Sequence, residues 1–258
     1  MKTSLQLDHG MQLWRNWPSP KLQKLQNDYE DFLDLTSKYI FQALDKNESF
    51  IQKLSQRGCT QKEIITVTGD MMFGGIETVV SLLSFSLYQL AKNPRVQEKL
   101  HQEILQVKDL TKIDKLPYLN AVIKETLRSN PPAALVTRKV PHKFILGNYE
   151  FPPNINFVLC HYHMGTSDKF VKNPECFRPE RWIRNGENYE KFHPYLLKPF
   201  GHGHRVCIGK SIALMEVGIF LVKTLKEYRV EWHYEDIQMK SQLVMVPSLP
   251  LKFKFVER

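Results

Sequence analysis

The 258-residue chain has little of what most simply assigns a protein to a class. It holds four cysteines, Cys59, Cys160, Cys176 and Cys207, with no CxxC pair and no dense framework. Neither a zinc site nor a disulfide-stapled secreted scaffold is therefore expected, and the thiols read as reduced. No run of five or more Lys/Arg occurs and no nucleic-acid motif is present, which excludes a nucleic-acid role. The first residues, MKTSLQLDHG, contain no apolar h-region and too little Arg and Ser for a transit peptide. The longest nearly uncharged stretch, from Thr78 to Ala91, is too short to span a bilayer. A mean hydropathy of −0.36 excludes a polytopic membrane protein. Internal repeats and low-complexity tracts are also missing.

What is there is ordinary in bulk. Hydrophobic residues make up 42% and charged residues 24%, as in a globular chain that buries a core. On length alone this is one large domain or two small ones. The net charge of +9, with a pI near 9.3, favours acidic partners such as anionic lipid or an acidic protein.

Pro18 and Pro20 precede a helical pattern with Leu22, Leu25, Tyr29, Phe32, Tyr39 and Ile40 on or near one face. Thr60 followed by Glu63 predicts a capping box opening a helix from about Gln61 to Lys92. Its second half is apolar on nearly all faces, which predicts a buried central helix. Asn93–Pro94 ends it and starts another, with Asn93 as N-cap and Pro94 at the first helical position. Pro117 opens a further helix that Pro131–Pro132 stops. ALVTRKV reads as a strand, FIL-GN-YEF as a hairpin turning at Gly147–Asn148, and NINFVLCHYH as another strand. A loop rich in Pro, Gly, Asn and aromatics runs from about Gly165 to Val206. A helix from about Ile208 to Tyr228 and a closing strand in LKFKFVER complete a mainly α chain with a small β-sheet region.

The sharpest motif is PFGHGHRVCIGK, in which Phe200, Gly203, Arg205, Cys207 and Gly209 stand at fixed spacing before a helix. A cysteine at a helix N-terminus beside an arginine is favoured as thiolate by the helix dipole and the cation. The glycines, Gly201 among them, let backbone pass close to a flat object and free N–H groups for the sulfur. Those are the conditions that a thiolate ligand of iron needs.

This segment resembles the haem-binding signature of the cytochrome P-450 family, F-x-x-G-x-R-x-C-x-G, at every fixed position. Three further motifs of that family occur in order. Glu125 and Arg128 stand three apart in KETLR, on one helix face, and read either as a solvated pair or as part of a buried network. With Arg181 in FRPERW they resemble the E-x-x-R and P-E-R elements that lock the haem-binding loop to the core. GGIET places Gly74 in mid-helix, where each of its two glycines costs about 1 kcal/mol unless something large must approach. There Glu77–Thr78 resembles the family's acid–threonine oxygen-activation pair. Arg138, in ALVTRKV, matches a strand arginine that binds a haem propionate, as Arg205 does.

The resemblance implies haem b (iron protoporphyrin IX) ligated by Cys207, and a monooxygenase that inserts one oxygen atom from O2 into a lipophilic substrate, sterol- or steroid-like or xenobiotic. YLNAVIKETLR, FRPERWIR and GHGHRVCIGK are most similar to the mitochondrial branch. That branch implies a ferredoxin-type electron donor, docking at Lys124 and Lys210, and a site at the mitochondrial inner membrane. A flavoprotein reductase at the endoplasmic reticulum membrane is the alternative. The resemblance also implies that residues 1–258 form a partial domain lacking the family's N-terminal half. A truncated, inactive haem-binding or interaction protein is therefore the alternative function.

Overall fold

A computed structural model describes residues 19–44, 49–242 and 244–258. Pro18 lies outside them. The chain divides into two compact units, residues 1–77 and 78–258, and one long helix runs from the first into the second.

In the first unit, helix α1 spans Pro20–Leu44 and helix α2 spans Phe50–Gln56. Ser49 caps α2, its hydroxyl accepting from the Gln52 N–H at 3.0 Å and donating to the Ala43 carbonyl at 2.7 Å. Gly58 turns the chain at φ +82° toward the long helix α3, Gln61–Lys92. The capping box forms as expected: the Thr60 N–H donates to Glu63 Oε2 at 2.7 Å and the Glu63 N–H to Thr60 Oγ1 at 3.3 Å. Hydrogen bonds from the Thr60 N–H and hydroxyl hold the Glu63 carboxyl below its ordinary range. Ile40, Ile51 and Ile64 make this unit's small core. Tyr29 and Tyr39, expected on the packed face of α1, are exposed, and Thr36 takes the buried place with its hydroxyl bonded to the Phe32 carbonyl.

The second unit contains the main core. The C-terminal half of α3, helix α4 (Pro94–Ile104), helix α5 (Pro117–Ser129) and helix α7 (Lys210–Glu227) pool Leu82, Leu87, Leu100, Ile104, Leu119, Val122, Val217, Leu221 and Leu225. By length and composition α3 could cross a membrane. Its burial from Ser81 to Ala91 instead makes it the central core helix that its all-round apolarity predicts. Gly218 on α7 lets Ile113 pack close, since a Cβ there would stand 2.8 Å from the Ile113 Cδ1 methyl and force it to shift. Gln97, fully buried, exchanges hydrogen bonds with Val230 and donates to the Leu90 carbonyl, joining α3, α4 and the segment Tyr228–Glu231. Asn93 holds the N-cap position of α4 without capping it; its amide donates back to the Gln89 carbonyl and closes α3.

Among the described residues the strands form four two-stranded antiparallel ribbons. Strand β1 (Val136–Val140) pairs with β4 (Ile155–Leu159), and β2 (Phe144–Leu146) with β3 (Tyr149–Phe151). Strand β5 (Tyr228–Glu231) pairs with β8 (Lys254–Glu257), and β6 (Met239–Ser241) with β7 (Met245–Pro247). The strand expected over NINFVLCHYH stops at Leu159, where its partner β1 ends, and His161–Gly165 forms the short helix α6. There the Tyr162 N–H donates to the Ala134 carbonyl, while the buried His161 ring bonds the Ala133 carbonyl. These interactions replace further ladder pairing.

Candidate functional site

The loop before α7 is closed by its own backbone. The Gly201 N–H donates to the Lys198 carbonyl at 2.8 Å, the Cys207 N–H to the Phe200 carbonyl at 2.8 Å, and the Val206 N–H to the Gly203 carbonyl at 3.0 Å. Gly201 and Gly203 both stand at φ +73°, a region that side chains with a Cβ rarely enter. A Cβ on Gly201 would lie 3.5 Å from Arg138 Nη2, so β1 delivers its guanidinium to this turn. Arg205 stands on the turn itself and is exposed. Phe200 packs against the core, with Lys210 Nζ 5.8 Å from its ring centroid.

Cys207 stands three residues before α7, its thiol exposed. Val206 and Ile208 flank it, Ile208 at 81% exposure, and Ile212 and Met215 continue the apolar strip along α7. Gly209 has φ −82°, and a Cβ on it would meet nothing within 4 Å. Neither backbone nor packing among the described residues demands glycine there; a flat group lying over the loop would. An exposed cysteine, an apolar surround, bare backbone and two arginines on or beside the turn together fit a haem.

Gly74 and Glu77 belong to the first unit and Thr78 to the second, all three on α3. Gly74 and Gly75 have helical φ, and a Cβ on either would meet nothing within 4 Å. Their helix-weakening lack of a side chain therefore has no packing cause among the described residues. Glu77 and Thr78 are half-buried. Lys124 and Lys210 are exposed, on α5 and at the start of α7.

The structure brings Glu125, Arg128 and Arg181 together with no solvent exposure beyond 1%. Arg128 holds Glu125 in a two-pronged pair, Nε–Oε2 at 3.0 Å and Nη2–Oε1 at 2.8 Å, and donates to the Gly165 carbonyl at 2.8 Å. Arg181 Nε reaches Glu125 Oε1 at 3.1 Å. The Arg178 N–H and the Trp182 indole supply two more donors, at 3.0 and 2.8 Å. Glu190 is the second acid of the cluster, paired with Arg181 Nη1 at 2.5 Å and with Arg178. Buried charges persist only when so fully bonded. Gly165 is essential to this packing, since a Cβ would fall 2.8 Å from Leu197 and 3.2 Å from the Arg128 carbonyl. Leu197 begins the segment that leads into the Cys207 loop.

Around this cluster the sequence reading missed several partners. Glu103 on α4 accepts the first free N–H groups of α5, from Tyr118 and Leu119, both at 2.8 Å, where no local side chain caps the helix. Glu180 accepts from Tyr118 Oη at 2.8 Å and from Lys99 at 3.0 Å. Burial, then the bond to Glu180, pushes the Tyr118 hydroxyl well above its ordinary range. Burial raises Glu180, but Lys99 and Tyr118 outweigh it and leave the carboxyl below its usual value. Trp182 directly follows Arg181 and was within reach of a local reading; Glu190 carried no local signal.

A helical chain that presents a cysteine loop of this shape ahead of a core helix has the architecture of a haem-thiolate protein. The family model described as Cytochrome P-450 matches residues 2–255, and the chain belongs to that family. It is 30% identical over 271 residues to "Sterol 26-hydroxylase, mitochondrial" of Rattus norvegicus, covering 94% of this chain and 51% of that protein. It is 30% identical over 262 residues to "Cytochrome P-450 302a1, mitochondrial" of Drosophila melanogaster, covering 96% and 53%. The crystal structure of a cytochrome P-450DA heme domain shares the fold, with a TM-score of 0.71 and 24% identity over 78% of this chain and 46% of that one. The chain spans about half the length of the curated relatives it matches.

Proposed function

We propose that the protein is a haem-thiolate monooxygenase that inserts one oxygen atom from O2 into a lipophilic substrate, sterol- or steroid-like or xenobiotic. Electrons come from a ferredoxin-type donor. The observation that carries this reading is the exposed Cys207 thiol, set between Val206 and Ile208 on a loop closed by its own backbone bonds. Cys207 binds the iron as thiolate, and Phe200, Gly201, Gly203 and Gly209 shape the surface under the ring. Arg138 and Arg205 take the propionates, each as a planar guanidinium facing a carboxylate. Glu125, Arg128 and Arg181 position the loop. Gly74 would leave room on α3 for the cofactor, and Thr78 and Glu77 would hold and relay protons there. Lys124 and Lys210 offer cations to an acidic donor protein, which speeds encounter. When bound, haem supplies the redox chemistry itself. The names of the relatives support a mitochondrial location, and the same reading puts the protein at the inner membrane.

The Cys207 loop and its buried support would also fit a second reading, a haem-binding protein without turnover. The visible spectrum of the purified chain, reduced under carbon monoxide, tests the ligand. Wild type is expected to give the strongly red-shifted Soret band of thiolate ligation, and Cys207→Ala to lose it. Soluble wild-type protein that takes up no haem would sink both readings for this chain. Turnover with a ferredoxin and its reductase then separates enzyme from binder.

A further inference from the structure

Between the end of α5 at Ser129 and the start of β1 at Val136 the chain is neither helix nor strand, yet it is firmly held. Three successive carbonyls of this link each accept from a different donor. The Met245 N–H of β7 donates to the Pro132 carbonyl at 2.8 Å, the His161 ring to the Ala133 carbonyl at 2.5 Å, and the Tyr162 N–H to the Ala134 carbonyl at 3.1 Å. A carbonyl oxygen only accepts, so His161 Nε2 carries the proton.

Helix α3 grips the same link at two points. The Gln89 amide donates to Asn130 Oδ1 at 2.8 Å. Two turns earlier, the Ser81 hydroxyl donates to the Met245 carbonyl at 2.5 Å. A hydroxyl inside a helix ordinarily returns to the carbonyl four residues back. Thr36, Thr66 and Thr126 do so. Ser81, only 2% exposed, reaches instead to a strand 164 residues further along the chain.

Both ends of this path belong to the candidate site. Ser81 stands three residues after Thr78 on α3, so the two share a helix face. Strand β1 follows the link directly and carries Arg138, whose Nη2 lies 3.5 Å from the Cβ position of Gly201 in the Cys207 loop. Hydrogen bonds from Ser81 through Met245 to Pro132, with His161 bracing the next residue, therefore tie the Thr78 stretch of α3 to the strand that meets the cysteine loop. All of this lies within residues 78–258.

We propose that Ser81 and His161 are positioning residues that fix the span between Thr78 and Arg138, and with it the fit of haem; this rests on the haem-thiolate reading above. Ser81→Ala and His161→Leu each remove one donor, whereas His161→Gln keeps one. In the apoprotein, hydrogen exchange at Met245 and across residues 131–136 is expected to rise in both deletions and to match wild type in His161→Gln. In the holoprotein, haem transfer to excess apomyoglobin is expected to speed about tenfold in each deletion, with an altered Soret circular dichroism, and His161→Gln should again match wild type. Ile104→Val, a core loss on α4 away from the link, should lower the urea midpoint without changing haem transfer, which separates positioning from stability. Deletions that leave haem transfer and the Soret circular dichroism within about twofold of wild type overturn the proposal and leave the haem-thiolate reading standing. Unchanged exchange in Ser81→Ala does the same. An equal effect of Ile104→Val would assign the losses to stability alone and also overturn it. Wild type that takes up no haem overturns the proposal and the reading together.

Discussion

Glu125→Gln tests the central ionic cluster with almost no change in shape. The carboxylate accepts five hydrogen bonds, three at Oε1 and two at Oε2, and every one of its partners is a donor. An amide in the same place must turn an NH2 group toward donors at one of these positions. It also leaves Arg128 without its acid and Arg181 with Glu190 alone. Breaking a buried pair by removing one partner costs about 3–5 kcal/mol, because the remaining charge stays buried and uncompensated. Against a typical total stability of about 5–15 kcal/mol, that is a third or more of what holds a domain folded. With a urea slope of about 2.5 kcal/mol/M, the unfolding midpoint should fall by about 1.5 M. Far-ultraviolet circular dichroism along a urea titration measures it. Arg128→Met and the double variant complete a cycle whose coupling should be about 1–3 kcal/mol. An E125Q midpoint within about 0.3 M of wild type would refute the reasoning, since it would mean the cluster is solvated or replaceable.

Two glycine substitutions should have opposite signs. Gly74→Ala, at a helical position open on all sides, should raise apoprotein stability by about 0.5–1 kcal/mol and weaken haem uptake, read by thermal melts and haem titration. Gly165→Ala forces a Cβ against Leu197 and the Arg128 carbonyl and should cost about 1–3 kcal/mol in the same melts. His161 supplies a pH test. Burial holds its folded value below the ordinary 6.5, only partly offset by the bond to the Ala133 carbonyl. The unfolded chain therefore takes up a proton that the native state resists, and stability falls as pH drops below about 6.5. The stability difference between wild type and His161→Gln should shrink from pH 7 to 5.5; a constant difference in paired urea titrations would contradict this.

What was legible in the sequence was what depends on near neighbours. Thr60 and Glu63 meet because they are three apart, and the mirrored bonds form as their spacing demands. The hairpin at Gly147–Asn148 is equally local. Asn93 shows the limit of such readings: it stands at the N-cap position, yet its side chain serves the helix behind it. Tyr29 and Tyr39 fit the helical period and still face outward, because a period marks a face without saying how much of it finds a partner. Glu190 and Glu103 were out of reach altogether. Each acts on a helix or turn that only chain reversal brings beside it.

The Cys207 loop and the Gly74–Thr78 segment were legible for different reasons. The Cys207 loop is specified twice, by its own glycines and closing bonds and by a chain of contacts running from Glu125 through Arg128 and Gly165 to Leu197. All of these lie within the second unit. Gly74, Glu77 and Thr78 are specified only as positions on a helix, and no packing among the described residues explains the glycine. Their demand for space comes from whatever approaches α3. The α3 side chains Met72, Phe73, Ile76 and Val80 are likewise exposed. The Cys207 loop and these supports thus belong to one unit. On the proposed reading, haem uptake at the Cys207 loop and turnover that needs Glu77 and Thr78 should be separable in the same preparation.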